Sequence, residues 1–198
     1  MVKLTFGVVS ARIPNTDHVV ITPSGFSKAR LNTKELIVLD LEANLVEGKL
    51  RPSVESETHC YIHRLRPDVG AVIHTHSPVA SGFASARAEI PCVSTEQAFV
   101  LGGTVPVVER YVMPGSEDEG DLETIEKAFR NSRAVLLRNH GILVIGTDLR
   151  EALNNAIVVE DAARIALVAR LLGKSDRLPD TEIKNLVDFR ARYGQRKK

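Results

Sequence analysis

The stretch Gly70-Ala71-Val72-Ile73-His74-Thr75-His76 gives the strongest structural signal in this sequence. Its apolar run predicts a buried β-strand that ends at the two histidines. Side chains two residues apart in a strand point to the same face, so both imidazoles are predicted to lie on one side of a sheet. Two imidazoles at this spacing can bind one cation, although a pair of partly buried histidines at a strand end is the more common arrangement.

A second apolar stretch, residues 134–145, predicts two strands that meet at Asn139-His140-Gly141. A polar side chain at the junction of two apolar strands needs a reason to be buried. His140 therefore supplies a third imidazole to set beside His74 and His76. Three histidines with an open fourth position are typical of a catalytic zinc site and not of a closed structural one. The sequence thus predicts a metal site at these three histidines.

The segment between Pro52 and Pro67 has a helical pattern, with Ser53 as the predicted N-cap. Glu55 and Glu57 both fall in the first turn of this predicted helix. Acidic residues there usually complement the helix dipole, whereas a carboxylate that points into a metal pocket can act as a general base. Spacing alone does not choose between the two glutamates.

The other three histidines fit a metal site less well. His18 is predicted to lie in a polar turn. His59 and His63 form an i, i+4 pair on the predicted helix, a spacing that places both rings on one helix face. Such a pair could bind metal, but on an amphipathic helix it is usually exposed, and both are predicted to be surface residues.

The rest of the chain mixes strands and helices in an irregular order. Strands are predicted over residues 19–22, 35–40 and 102–108, and helices over 77–87, 122–130, 148–172 and 181–193. No Rossmann or P-loop pattern is present. Mixed elements without a regular βαβ alternation predict a layered α/β sheet protein.

The composition is that of an ordinary globular protein. The 198 residues are 43% hydrophobic and 26% charged, with a formal net charge of +1, which fits one domain that folds without disulfides. The balanced charge argues against a nucleic-acid-binding or membrane-surface protein. No signal peptide or membrane span is predicted, and the isolated Cys60 and Cys92 favour a reducing compartment such as the cytoplasm.

Five motifs occur in an order that resembles the class II aldolase/adducin family, and most of all its aldolases that cleave ketose 1-phosphates. They are Thr22-Pro23-Ser24-Gly25, Pro52-Ser53-Val54-Glu55, Arg66-Pro67-Asp68, His74-Thr75-His76 and Asn139-His140-Gly141. The resemblance runs from about Leu4 to Gly194. It implies one α/β/α domain over residues 1–198, with a central and mainly antiparallel sheet and without the family's N-terminal helix.

The resemblance also implies roles for single residues. His74, His76 and His140 take the place of the family's zinc ligands, and Glu55 that of its acid/base, which can also bind the resting metal. Tyr193 matches a C-terminal tyrosine that assists catalysis. The positions that match the family's phosphate-binding residues are Thr5, Ser24, Gly25 and Ser53.

The activity that follows from the resemblance is that of an aldolase dependent on zinc or another divalent metal. It would cleave a ketose 1-phosphate to dihydroxyacetone phosphate and an aldehyde through a metal-stabilised enediolate. The family's enzymes are homotetramers with sites at subunit interfaces, so a tetramer is expected, with a small phosphorylated sugar as the substrate.

Other activities of the family stay open. They are those of a pentulose-phosphate 4-epimerase, a sugar-acid decarboxylase, a methylthioribulose-phosphate dehydratase and a non-catalytic adducin-like interaction module. The epimerases carry an aspartate near the position of Glu55, which weighs against that branch. A binding module has no need of three histidines and an acid.

Three positions depart from the family pattern. Val8 stands where the aldolases have a phosphate-binding asparagine, and Val54 stands where they have a second serine. Thr95 stands where a tyrosine from a neighbouring subunit is expected, and a threonine cannot do the proton chemistry of a phenol. These departures affect the substrate end of the expected site and leave the histidines untouched.

Overall fold

The computed structural model describes residues 5–115, 118–190 and 192–193. Within these residues, seven strands form one sheet: β1 (Val8–Arg12), β2 (His18–Ile21), β3 (Ile37–Asp40), β4 (Leu45–Glu47), β5 (Ala71–Thr75), β6 (Ala134–Leu137) and β7 (Gly141–Gly146). Their order across the sheet is β4-β3-β2-β1-β5-β7-β6. Every neighbouring pair is antiparallel.

Helices cover both faces of this sheet. The described α-helices are α1 (Ser56–Leu65), α2 (Pro78–Ser85), α3 (Thr95–Leu101), α4 (Glu119–Phe129), α5 (Leu149–Leu171) and α6 (Asp180–Arg190), and a short 3₁₀ helix spans Thr33–Glu35. None of the helices in the described part of the chain has the length and apolar character needed to cross a bilayer.

The two-residue period of β6 and β7 creates the two layers of core. Leu136 and Ile142 point to one face and pack with α2, α3 and α5, whereas Val135 and Leu143 point to the other and pack with α1 and α4. Alternate side chains of a strand point to opposite faces, and all of these residues are buried because helices cover both faces. The predicted α/β/α fold with an antiparallel sheet is therefore confirmed.

Residues 102–108, predicted as a strand, do not form one. This segment makes only isolated bridges, between Val105 and Ile90 and between Val107 and Leu136. Pro106 lacks an amide hydrogen to donate to a ladder. Gly102 has a φ of 87° and ends α3, a helix that the sequence pattern did not predict. The positive φ takes the chain out of the helix and not into a strand.

A network of charges joins the start of α5 to α6 through Glu151. Its carboxylate accepts hydrogen bonds from the Thr147 amide (2.7 Å) and hydroxyl (2.5 Å). It also pairs with Arg133 and Arg190. Burial on its own would raise the pKa of Glu151, but the bonds from Thr147 and the two arginines outweigh it and lower the pKa to about 2. The ionised carboxylate is therefore strongly favoured in the folded protein.

This network makes stability depend on pH in a predictable direction. Because the folded pKa of Glu151 lies below its usual value, its contribution is fully present above about pH 4.5 and is lost as the pH falls towards 2. Glu151→Gln is expected to lower the free energy of unfolding at pH 7 by about 1–3 kcal/mol. Urea titrations of both proteins at pH 7 and pH 3 measure this difference, which should shrink at the lower pH. An equal difference at both values would contradict the assignment.

Candidate metal centre and active site

The three predicted histidines converge at one end of the sheet. His74 lies in β5, and His76 follows that strand directly. His140 lies in the turn between β6 and β7, where Asn139 adopts a φ of 58°. Asparagine tolerates this left-handed conformation, and the tight turn brings His140 beside the end of β5. The ring centroids of the three imidazoles lie 4.6–4.9 Å apart.

The geometry of the rings fits a shared cation. One ligand atom of each histidine lies within 4.8 Å of those of the other two, and Nε2 of His74 is 2.9 Å from Nε2 of His76. The Nδ1 of His74 lies 2.9 Å from the carbonyl oxygen of Ile142. A carbonyl only accepts, so Nδ1 carries the proton and Nε2 presents its lone pair to the site. Metal-binding histidines are commonly oriented by such a bond.

The electrostatics of the site favour the neutral, metal-binding form of these rings. Burial lowers the pKa of His74 well below its usual value, and the neighbouring His140 and His76 lower it further. Burial and then His76 lower the pKa of His140 to about 4, and burial also lowers that of His76. Three neutral imidazoles in a confined space are the donor set that Zn²⁺ and similar divalent ions take.

The structure brings Glu55, and not Glu57, to the histidines. Oε1 of Glu55 is 3.4 Å from Nε2 of His74 and 3.8 Å from Nε2 of His140. Glu55 is itself the N-cap residue of α1, a position whose side chain leaves the helix at its end. Glu57 is exposed in the first turn. Ser53, predicted as the N-cap, lies two residues earlier, and its hydroxyl accepts a 3.4 Å bond from the Glu55 amide.

A cavity of about 350 Å³ opens from this cluster. All four predicted phosphate-binding positions line it, together with Glu55, His76 and His140. The full lining is Thr5, Phe6, Gly7, Val8, Pro23, Ser24, Gly25, Lys28, Ser53, Val54, Glu55, His76, Pro114 and His140. Residues from separated parts of the sequence therefore surround one space of the size that small-molecule ligands occupy.

Phe6 and Lys28 are among the lining residues that were not predicted from the sequence. The ring of Phe6 stacks on that of His76, with centroids 5.3 Å apart and planes inclined by 25°. Lys28 reaches the cavity from the loop after β2. A single lysine among charged loop residues has no pattern that marks it as a site residue. The structure marks Lys28 as a site residue because its loop, with Pro23, Ser24 and Gly25, forms part of the cavity wall.

Tyr193 does not line the cavity of its own chain. Its ring packs against Phe99 of α3 at 5.3 Å and Phe189 of α6 at 5.4 Å between centroids, and the side chain is 66% exposed. Thr95 lies at the start of α3. The role suggested for Tyr193 therefore stays a prediction that depends on a second subunit.

His59 and His63 are buried, contrary to the surface position predicted for them. Both side chains are fully buried on the face of α1 that packs against the sheet. The hydroxyl of Ser10, in β1, lies 2.8 Å from Nδ1 of His59 and 2.9 Å from Nε2 of His63. A hydroxyl can donate to one ring and accept from the other. Periodicity predicted that the two rings share a face but could not show that a polar partner lies opposite them on the sheet.

The two rings are held in their neutral form. Burial, followed by the charge of His63, lowers the pKa of His59 to about 3. Burial and Arg12 lower that of His63 to about 4. His59 also lines a second, much smaller cavity with Glu55 and His140. The buried network thus lies directly behind the candidate metal centre.

Removing the Ser10 hydroxyl is expected to destabilise the protein. Ser10→Ala leaves one nitrogen of each buried ring without its partner, which should lower the free energy of unfolding by about 2–4 kcal/mol. Urea unfolding at pH 7.5 measures this loss of stability. Ser85→Ala, at an exposed position at the end of α2, is the matched control. A loss for Ser10→Ala no larger than that of the control would contradict the role of the hydroxyl.

The sequence of this chain is similar to that of known proteins over most of its length. Residues 1–167 match the sequence model described as Class II Aldolase and Adducin N-terminal domain. An L-ribulose-5-phosphate 4-epimerase UlaF from Salmonella paratyphi B is 31% identical over 178 residues, which covers 86% of this chain and 78% of that protein.

Solved structures show the same likeness. An L-fuculose 1-phosphate aldolase superposes with a TM-score of 0.88 at 32% identity, covering 94% of this chain and 86% of that one. An L-fuculose-1-phosphate aldolase from Thermus thermophilus gives a TM-score of 0.74 at 30% identity, with 90% of each chain covered. The similarity thus extends over most of the sequence and the fold.

Proposed function

Because the chain is an enzyme of the class II aldolase and adducin family, we propose that it cleaves a ketose 1-phosphate. The products are dihydroxyacetone phosphate and an aldehyde. The observation that carries the proposal is the convergence of three histidines and one carboxylate at the end of a cavity. The likeness to an L-fuculose 1-phosphate aldolase over 94% of the chain supports this activity.

We propose that His74, His76 and His140 bind zinc or another divalent cation, with Glu55 as an additional ligand in the resting enzyme. Such a cation withdraws electrons from a substrate carbonyl and so makes the adjacent carbon–carbon bond easier to break. The buried side chain of His74, fixed by the carbonyl of Ile142, holds its Nε2 in the orientation that a ligand requires.

Glu55 is the proposed acid/base. Its carboxylate lies at the mouth of the histidine cluster and is 12% exposed, so it can reach a substrate while it is shielded from most of the solvent. It delivers a proton to the carbon that remains on the dihydroxyacetone phosphate fragment, and it removes that proton in the direction of synthesis. Thr5, Ser24, Gly25 and Ser53 bind the phosphate at the far end of the cavity.

The proposed assembly is a cytoplasmic homotetramer of single-domain chains, with sites at subunit interfaces. Tyr193 lies outside the cavity of its own chain and packs on Phe99 and Phe189. An interface would bring it to the aldehyde end of a neighbouring site, where the phenolate takes the proton of the substrate hydroxyl that becomes the aldehyde oxygen, and the phenol returns that proton to the aldehyde oxygen in the direction of synthesis. The exposure of Tyr193 is compatible with such a contact.

A 4-epimerase is the second candidate activity. It is favoured by the curated relatives at 31% identity, which carry the name L-ribulose-5-phosphate 4-epimerase UlaF. An epimerase can use the same three histidines, because it too needs a polarised carbonyl. The carboxylate at Glu55, where the family's epimerases carry an aspartate nearby, weighs towards the aldolase.

One assay separates the two activities. Purified protein of known metal content is incubated with L-fuculose 1-phosphate and, separately, with L-ribulose 5-phosphate. The proposal expects dihydroxyacetone phosphate from the first substrate, loss of that activity after chelation, and recovery on adding Zn²⁺. Formation of the 4-epimer of the second substrate, without cleavage of any ketose 1-phosphate in a wider panel, would replace the aldolase by the epimerase.

A further inference from the structure

Two positions that line the cavity carry valine where the resemblance predicts a polar side chain. Val8 and Val54 both line it, at positions where the resemblance predicts an asparagine and a serine. Valine offers no side-chain hydrogen bond, so the side chains at these two positions cannot solvate an anion. A phosphate monoester carries close to two negative charges at neutral pH. The charge must be balanced by another group if this cavity is to hold it.

Lys28 is the group that can balance this charge. Among the described residues that line the cavity, it is the only lysine or arginine. Its Nζ donates to the carbonyl oxygens of Phe26 (3.1 Å), Thr5 (3.3 Å) and Pro23 (3.4 Å). Thr5 and Pro23 themselves line the cavity, so the ammonium group lies within its wall.

The surroundings of Lys28 show that it belongs to the site. Burial lowers the pKa of its ammonium group, whereas the charge of Glu55 acts in the opposite direction. The side chain is half-buried, so it is partly shielded from bulk water and lies within electrostatic reach of the carboxylate beside the histidines. A lysine that only served solubility would extend into solvent, where it keeps its hydration and its rotamer freedom.

We propose that Lys28 binds the phosphate group of the substrate and makes this cavity select phosphorylated over unphosphorylated sugars. The inference rests on the proposed function, which supplies the phosphorylated substrate. The three carbonyls are neutral and their contacts are at the long end of the hydrogen-bond range. A phosphate oxygen is a stronger acceptor because the bond is then between two charged groups. The carbonyls hold the ammonium close to the place where the phosphate enters.

The first test measures binding without turnover. Isothermal titration with inorganic phosphate is carried out on the full chain, its Lys28→Met and Lys28→Gln variants, and Lys34→Met. Lys34 is exposed in the short 3₁₀ helix and does not line the cavity, so its variant controls for the change in net charge. Loss of Lys28 is expected to weaken phosphate binding about 10- to 100-fold, with Lys34→Met unchanged. Unchanged binding in both Lys28 variants would overturn the proposal.

The second test separates recognition from structure. Thermal unfolding of the variants shows whether Lys28 merely ties its loop down. For a ketose 1-phosphate that the enzyme cleaves, Lys28→Met should raise KM at least about 10-fold and change kcat much less. The kcat/KM for the same sugar without phosphate should stay within about twofold of wild type. Equal losses on both sugars would overturn the selectivity role.

The two proposals can fail separately. If no ketose 1-phosphate is cleaved but phosphate binding still depends on Lys28, the aldolase activity is wrong and the anion site stands. If cleavage occurs and neither phosphate binding nor KM changes in the Lys28 variants, the anion site is wrong and the aldolase stands.

Discussion

Glu55→Gln is expected to reduce turnover by about 10²- to 10⁴-fold, the range that a positioned acid/base contributes. Glutamine has the size of glutamate but cannot accept or release a proton at neutral pH. The three imidazoles of the proposed metal centre stay in place, so the variant should retain its metal. Measurement of kcat together with metal content per chain distinguishes a lost proton transfer from a lost cation.

Glu57→Gln is the matched control for this variant. Glu57 is two residues away in the first turn of α1 but exposed to solvent, so its change should leave kcat and metal content at wild-type values. If Glu55→Gln turns over at the rate of this control, Glu55 is not the acid/base. If Glu57→Gln is the variant that loses turnover, the wrong glutamate was assigned.

The histidine cluster could be predicted from the sequence because the geometry of the strands fixes the positions of the three histidines. His74 and His76 share a face for any strand at residues 71–75, and a tight turn before β7 must return His140 to the end of the neighbouring strand. These relations depend only on local periodicity and on antiparallel pairing. The two layers of core, one on each face of the sheet, follow from the same alternation in β6 and β7.

The burial of His59 and His63 could not be predicted in the same way. A helix pattern shows which residues share a face, but not what the opposing sheet offers them. Here the partner is Ser10, 49 and 53 residues earlier in the sequence. The position of Lys28 could not be predicted for the same reason. Its three acceptors are backbone carbonyls, which every residue has and which no sequence pattern identifies.

The residue after His140 is Gly141, and the structure leaves no room for a side chain at this position. A Cβ built there would lie 2.5 Å from the carbonyl oxygen of Thr75, and 3.0 Å from both Cε1 of His74 and Cδ2 of His76. A contact of 2.5 Å with a backbone atom is far inside van der Waals distance. The clash with the Thr75 oxygen can be relieved only if β5 and β7 separate, and the two close ring contacts only if the rings move as well. Either movement changes the positions of the ligand nitrogens.

Gly141→Ala is therefore expected to weaken metal binding about 10- to 100-fold, comparable to the loss of a group that orients a ligand. It should also destabilise the fold by about 1–3 kcal/mol through overpacking. Competition with a chromophoric chelator gives the affinity, and urea unfolding gives the stability.

Gly82→Ala is the control for this glycine, because no heavy atom lies within 4 Å of a Cβ built at Gly82 in α2. It should keep the metal affinity of wild type and gain up to about 1 kcal/mol of stability, since alanine favours the helix. Both variants add one methyl group, so only the contacts of Gly141 can account for a difference between them. Wild-type affinity in Gly141→Ala would mean that the histidines reach the cation without the close approach of β7 to the end of β5.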